Sequence, residues 1–138
     1  MRLSPADLCR GKGALPVTMT RNRLTLGRQG EDAAAHYLKR KGMTILTRNL
    51  RTPVGEIDLV ARHRRFLVFV EVKTRRGSLF GSPLEAVGPR KQGQIIRAAK
   101  WYLNEIPKQK LQPRFDVVAI MVCGDELRIE HLPGAFEV

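Results

Sequence analysis

The segment from Phe66 to Thr74 constrains the fold of this chain more than any other. Its sequence is FLVFVEVKT, so apolar side chains alternate onto both faces of an extended strand. Such a run is typical of a central strand that is covered on both sides of a sheet. Glu71 and Lys73 are its only charged residues. Because an ionised carboxylate buried without a partner costs on the order of several kcal/mol, Glu71 needs a partner there.

Hydrophobic periodicity around this strand predicts an α/β domain. Apolar residues at helical spacing predict two helices, at 28–41 and 88–105. Four further strands are predicted, at 44–50, 54–61, 115–122 and 127–131. The predicted order is therefore helix, three strands, helix, two strands.

The first 25 residues differ from the rest of the chain. Residues 1–25 contain Pro and Gly without sustained periodicity, which predicts a flexible basic leader, with Met19 as an alternative start. Residues 26–138 are then a single domain, long enough for one hydrophobic core. No stretch approaches the roughly 20 apolar residues of a membrane span, and the N-terminus lacks the apolar core of a secretion signal. We therefore expect a cytoplasmic protein with no membrane partner.

The charge of the chain favours a polyanionic partner. Lysine and arginine together number 25 against 13 acidic residues, which gives a formal net charge of +12. The commonest partner of so basic a domain is a phosphate backbone. An anionic membrane surface is the weaker alternative, because no predicted helix combines a lysine-rich face with a bulky apolar one. Nucleic acid is therefore the predicted partner.

The strand before the central one carries two acids. Glu56 and Asp58 are expected to share one face of it, whereas Ile57 and Leu59 share the other. A four-residue loop at 62–65 would place position 58 opposite 69 and position 56 opposite 71. Asp58 and Glu71 would then be diagonal neighbours, roughly 7 to 8 Å apart.

Clustered carboxylates in a basic chain predict a divalent-metal site for phosphodiester cleavage. Mg²⁺, or Mn²⁺, would be held by Asp58, Glu71 and the backbone carbonyl of Val72. Glu31 lies on the inward stripe of the first helix and would join the site, directly or through water. Glu56 is a candidate outer ligand.

Lys73 admits two interpretations. Its ammonium group could meet a phosphate oxygen or the attacking water, as a catalytic lysine would. Alternatively, Lys73 forms a structural ion pair with Asp58 or Glu71, and the protein is a noncatalytic nucleic-acid-binding module. The triplet Glu71-Val72-Lys73 does not decide between them, since chance provides about as many acid-x-lysine triplets in a chain with 13 acids.

Basic and polar residues beside the predicted site are candidates for phosphate contacts. Arg75, Arg76 and Ser78 follow the central strand directly, where a loop would meet the substrate. Arg90 and Lys91 lie at the start of the second helix, beside free backbone amides.

Several motifs together resemble a known family. They are Gly30-Glu31, Arg48-Asn49, Gly55-Glu56-Ile57-Asp58, Phe69 to Arg75, Phe80-Gly81 with Pro83, and Lys91. This combination resembles the YraN-like family of predicted endonucleases. That family is similar to the PD-(D/E)xK nuclease superfamily, and particularly to archaeal Holliday junction resolvases.

The resemblance implies a structure and an activity. It implies a restriction-endonuclease-like mixed β-sheet flanked by helices, and a magnesium-dependent endodeoxyribonuclease that hydrolyses branched or structured DNA. The implied catalytic residues are Glu31, Asp58, Glu71 and Lys73. Ile57 occupies the position of the proline in the superfamily's name. A two-fold homodimer would suit symmetric cleavage of a junction, although the sequence assigns no apolar patch to an interface.

Overall fold

A mixed β-sheet of six strands organises the protein in the computed structural model. The structure describes residues 14–16, 23–76, 83–105 and 110–137. Its elements are β1 (Ala14–Pro16), α1 (Arg23–Arg40), β2 (Thr44–Thr52), β3 (Gly55–His63), β4 (Phe66–Arg76), a 3₁₀ turn (Pro83–Ala86), α2 (Pro89–Glu105), β5 (Gln112–Cys123) and β6 (Glu126–Phe136).

The strands lie in the order β1-β6-β5-β4-β3-β2. β4 and β5 run parallel, and the other neighbours are antiparallel. The predicted element order and the mixed sheet are confirmed, and β4 is the internal strand that its sequence predicted. The short β1, which pairs with β6, is an addition within the segment that we expected to be a leader. The division into a leader and a domain at residue 26 stays a prediction.

The two faces of the sheet pack against different helices. On one face, Ala34 and Leu38 of α1 join Val68 and Val70 of β4 in a buried core. On the other face, Ile95, Ala98 and Ala99 of α2 pack with Leu67 and Phe69 of β4. Both faces of β4 are therefore buried, which explains its uninterrupted apolar sequence. By alternation, Glu71 and Lys73 belong to the α2 face.

The turn between β3 and β4 is shorter than we predicted. His63 pairs with Phe66, so only Arg64 and Arg65 form the turn. Arg64 has a φ of 58°, a left-handed conformation that lets two residues reverse an antiparallel pair. The predicted register is therefore wrong by two residues, and continuing the observed one puts position 58 directly opposite 71 rather than diagonal to it.

β3 separates from β4 near the two acids. Their pairing ends at Leu59 with Val70, whereas β4 stays paired with β5 as far as Arg76. Ile57 packs in the α2-side core, and Leu59 packs in the α1-side core. The expectation that Ile57 and Leu59 share a face is therefore wrong; beyond Leu59, β3 pairs with β2 and no longer with β4.

Within the described residues, no helix is both long enough and apolar enough to span a membrane.

Candidate functional site

Asp58 and Glu71 meet where β3 leaves β4. The backbone N–H of Val72 donates a hydrogen bond to Oδ2 of Asp58, at 2.8 Å. This N–H would bond to β3 if the ladder continued, so the Asp58 carboxylate replaces the missing strand acceptor. Glu71 precedes Val72 and is buried, with 4% of its surface exposed. The two acids were predicted to meet, and the structure brings them together.

Two lysines approach the buried carboxylate of Glu71. Oε1 of Glu71 lies 3.6 Å from Nζ of Lys73 and 3.9 Å from Nζ of Lys91. Burial raises the pKa of Glu71 to about 7, and the negative charge of Asp58 adds to the rise, while Lys91 and Lys73 oppose it. Two adjacent carboxylates resist ionising together. Near neutral pH Glu71 therefore readily exchanges a proton.

Lys91 has a role that the sequence did not reveal. α2 packs on the sheet face that carries Glu71 and brings the ammonium group of Lys91 to the Glu71 carboxylate. The phosphate contact of Lys91 stays a prediction. Lys91 follows Glu71 by 20 positions, so local spacing carries no signal for the pair. Arg90, its neighbour, is exposed to solvent in the first turn of α2.

Glu31 is held by an arginine of β2. Its Oε1 lies 3.5 Å from Nε of Arg48, and 13% of the Glu31 side chain is exposed. The same guanidinium group also donates to Asp32. α1 packs on the sheet face opposite to that of Glu71. In the described part of the chain, no three His, Cys, Asp or Glu side chains form a group that could hold a metal ion, so Glu31 is not gathered with Asp58 and Glu71.

Glu56 lies apart from the two paired acids. Its side chain is 71% exposed, and its Oε1 lies 3.8 Å from Nε of Arg51 on the edge strand β2. Its contact is with β2, whereas Asp58 contacts Val72 of β4. An outer-ligand role for Glu56 gains no support from this geometry.

Two of the remaining predicted contacts lie within β4 rather than in a loop after it, because the strand continues to Arg76. Arg75 is exposed near the end of the strand, and Arg76 is its last residue. Ser78 lies outside the described residues.

A second buried acid, Asp116, is fully satisfied by other residues. It is 0% exposed, and both of its oxygens accept from Arg114, through Nε and Nη2 at 2.9 Å each. His131 Nε2 lies 2.7 Å from Oδ2, and the N–H of Gly134 donates to Oδ1 at 3.1 Å. Burial raises the pKa of Asp116, but its hydrogen bonds outweigh burial and lower the pKa overall.

Comparison with known proteins identifies the family. The model of a family described as "Uncharacterised protein family UPF0102" matches residues 30–120, which include Glu31, Asp58, Glu71 and Lys73. The chain belongs to the UPF0102 family. A UPF0102 protein of Syntrophotalea carbinolica is 65% identical over 120 residues, covering 87% of this chain and 98% of the relative.

More distant UPF0102 proteins match over nearly the same length. That of Desulfosudis oleivorans is 46% identical and covers 86% of this chain and 95% of its own length. That of Rhodococcus opacus is 50% identical and covers 82% of this chain and 97% of its own. The family resemblance expected from the motifs is therefore confirmed. Kinship with the PD-(D/E)xK nucleases stays a prediction.

Proposed function

We propose that this UPF0102 protein is a metal-dependent endonuclease that hydrolyses phosphodiester bonds of DNA, with branched or structured DNA as the intended substrate. The observation that carries the proposal is the approach of Asp58 to the buried Glu71: burial raises the pKa of Glu71 to about 7, and the negative charge of Asp58 adds to the rise. Maintaining two acids side by side in a largely buried site opposes folding. A catalytic cation would neutralise the two carboxylates and so explain why the fold keeps them together.

The residues present fit a hard divalent cation. Mg²⁺ commonly binds through one or two carboxylates and leaves its other positions to water and substrate phosphate, so Asp58 and Glu71 suffice. The N–H of Val72 bonds to Asp58, and the carbonyl of a strand residue lies on the same side as its N–H. The Val72 carbonyl is thus a third oxygen on that side. Such an ion supplies Lewis acidity and lowers the pKa of a bound water.

Lys73 and Lys91 both lie beside the carboxylate of Glu71. Both ammonium groups lie within 4 Å of Oε1 of Glu71. A cation bound to Glu71 would weaken these ion pairs and leave the ammonium groups available to phosphate oxygens. In this proposal Lys73 stabilises charge that develops on the scissile phosphate, and Lys91 holds a neighbouring phosphate.

A noncatalytic nucleic-acid-binding module is the alternative function. The ion pairs of Glu71 with Lys73 and Lys91 favour it, because they give the buried acid a structural role without metal. This alternative predicts DNA binding that persists in EDTA and in an Asp58→Asn protein, with no cleavage products.

A cleavage assay separates the two functions. Linear, single-stranded, flapped and four-way DNA are incubated in Mg²⁺ or Mn²⁺ with wild-type, Asp58→Asn and Lys73→Ala proteins. Glu56→Gln is the matched control, since Glu56 is exposed and paired elsewhere. The proposal predicts products from the wild type and the control, and a loss of about a hundredfold or more in the other two, as removal of one charge-stabilising group causes. Equal residual cleavage by all four proteins would overturn the assignment.

A further inference from the structure

A cluster of cations lies at the far end of the sheet from Glu71. Arg62, Arg64 and Arg65 at the β3–β4 turn, with Lys110 and Leu111 ahead of β5, line a cavity of about 370 Å³. We infer that this basal cavity is a second phosphate-binding site, which holds the backbone of a nucleic acid away from the candidate metal site. The inference rests on the nucleic-acid partner proposed above, but it does not depend on cleavage.

One backbone and one side-chain hydrogen bond fix the two segments that form the basal cavity. The N–H of Gln112, just after Leu111, donates to the carbonyl of Arg65 at 2.8 Å. Nε of Arg62 donates to the carbonyl of Arg64 at 3.5 Å. The left-handed Arg64 then makes the turn tight. The cations are thus carried by a fixed turn and by the start of a strand, rather than by one mobile segment.

The charges of the basal cavity are not neutralised by the described part of the protein. Among described residues, no carboxylate lies within ion-pair distance of Arg62, Arg64, Arg65 or Lys110. By contrast, Arg48 forms an ion pair with Glu31, and Arg114 forms one with Asp116. Like charges that converge on a concave surface favour an anionic ligand. Guanidinium groups, which make up three of these four cations, match the geometry of phosphate oxygens.

The spacing of the basal cavity from Glu71 favours a nucleic acid over a short anion. Arg65 precedes Glu71 by six residues along β4, which corresponds to about 20 Å at about 3.3 Å per residue. A duplex covers that distance with about six base pairs, at about 3.4 Å each. Arg97 and Lys100 are exposed on α2, and α2 packs on the sheet face that carries Glu71. One DNA molecule can therefore reach both sites.

Salt-dependent binding tests this second site without metal. The affinity for a labelled duplex of about 20 base pairs is measured by fluorescence anisotropy in EDTA at increasing KCl concentration. The cavity variant is Arg64→Asn with Arg65→Gln, and asparagine tolerates the left-handed conformation at position 64. The matched control is Lys39→Gln with Arg40→Gln, which removes two exposed cations from α1 on the other face. Lys110→Gln is a second cavity variant on a separate segment, and thermal melts check folding.

The slope of log K against log salt is negative, and we expect its magnitude to fall by about 1.8 in the cavity variant and by about 0.9 in Lys110→Gln, as one lost phosphate contact per cation requires. Binding near 0.1 M salt then weakens by about tenfold or more in the double variant, while the control keeps the wild-type slope. Equal slopes in cavity and control variants, with DNA still bound, would overturn the second site alone. Absence of DNA binding by the wild type would overturn the nucleic-acid partner as well. Displacement of the duplex by polyglutamate as readily as by unlabelled DNA would assign the cavity to acidic protein instead.

Discussion

The backbone N–H of Val72 donates to the carboxylate of Asp58 at the position where β3 stops pairing with β4. Asp58 therefore has a structural contact as well as its proposed chemical one. The same bond fixes the carboxylate beside Glu71, because Val72 and Glu71 are adjacent on β4. The hydrogen bond that forms where β3 and β4 separate is therefore the one that positions the two acids.

Two substitutions at Asp58 separate these roles. Asn at position 58 keeps an oxygen that can accept from Val72, so we expect its stability to stay near that of the wild type. Ala leaves the N–H without that acceptor and should lower the free energy of unfolding by about 1–3 kcal/mol. Both variants should lose cleavage. Urea unfolding beside the cleavage assay measures the two effects, and equal stability of the Asn and Ala variants would show that the bond contributes nothing.

Glu71→Gln should stabilise the protein at alkaline pH. The folded-state pKa of Glu71, about 7, is above the ordinary value of 4.5. Its protonation therefore favours folding at low pH, and this stability is lost as the pH rises through about 7. We expect the Gln variant to exceed the wild type by about 2–3 kcal/mol at pH 8, and by much less at pH 5.

Thermal melts at the two pH values test this, with the exposed Glu85→Gln as the control. The stability difference between Glu71→Gln and the wild type could prove equal at the two pH values. That result would show that folding does not raise the pKa of Glu71.

Asp116→Asn should destabilise the protein most of all the acid substitutions. It removes the charge that Arg114 and His131 share in a buried network, and breaking such a pair costs about 3–5 kcal/mol. Because hydrogen bonds lower the pKa of Asp116, its stabilisation is present above the ordinary carboxyl pKa and is lost as the pH falls through the folded-state value. Urea midpoints at pH 7 measure the loss. Asp125→Asn, in the exposed β5–β6 turn, is the control, and a shared midpoint would contradict the network's role.

Gly30 sets how closely α1 approaches β4. A Cβ at position 30 would lie 1.9 Å from Oγ1 of Thr74 and 3.0 Å from its Cβ. We expect Gly30→Ala to destabilise by about 1–3 kcal/mol, as overpacking does, and Thr74→Ala to recover part of the loss in the double variant. Gly93→Ala in α2 is the opposite case, because its neighbours leave room and alanine favours a helix by about 1 kcal/mol. A lower melting temperature for Gly93→Ala than for Gly30→Ala would contradict this account.

The sequence predicted the architecture well because burial leaves a direct pattern. β4 is apolar on both faces, and both faces are covered in the structure. The helical stripe at Ala34 and Leu38 likewise packs into the core as expected. The pairing of Asp58 with Glu71 also followed from alternation, since a register error of two residues does not change the face of a side chain.

Contacts between distant segments could not be predicted in the same way. The register depended on Arg64, whose left-handed conformation no local rule required. The approach of Lys91 to Glu71 depends on how α2 crosses the sheet, and the position of Glu31 depends on Arg48 of an edge strand. Such contacts arise from tertiary packing rather than from periodicity along the chain.

The central claim is that Asp58 and Glu71 hold one divalent cation. Calorimetric titration of Mn²⁺ at pH 7, in two buffers with different ionisation enthalpies and with an uncleavable DNA duplex present, tests it most directly. We predict binding by the wild type with net release of protons, because its raised pKa leaves Glu71 partly protonated at that pH and the metal ion displaces the proton. Asp58→Asn should abolish binding, and Glu56→Gln should preserve it. Failure of the wild type to bind, or equal binding by Asp58→Asn, would contradict the claim.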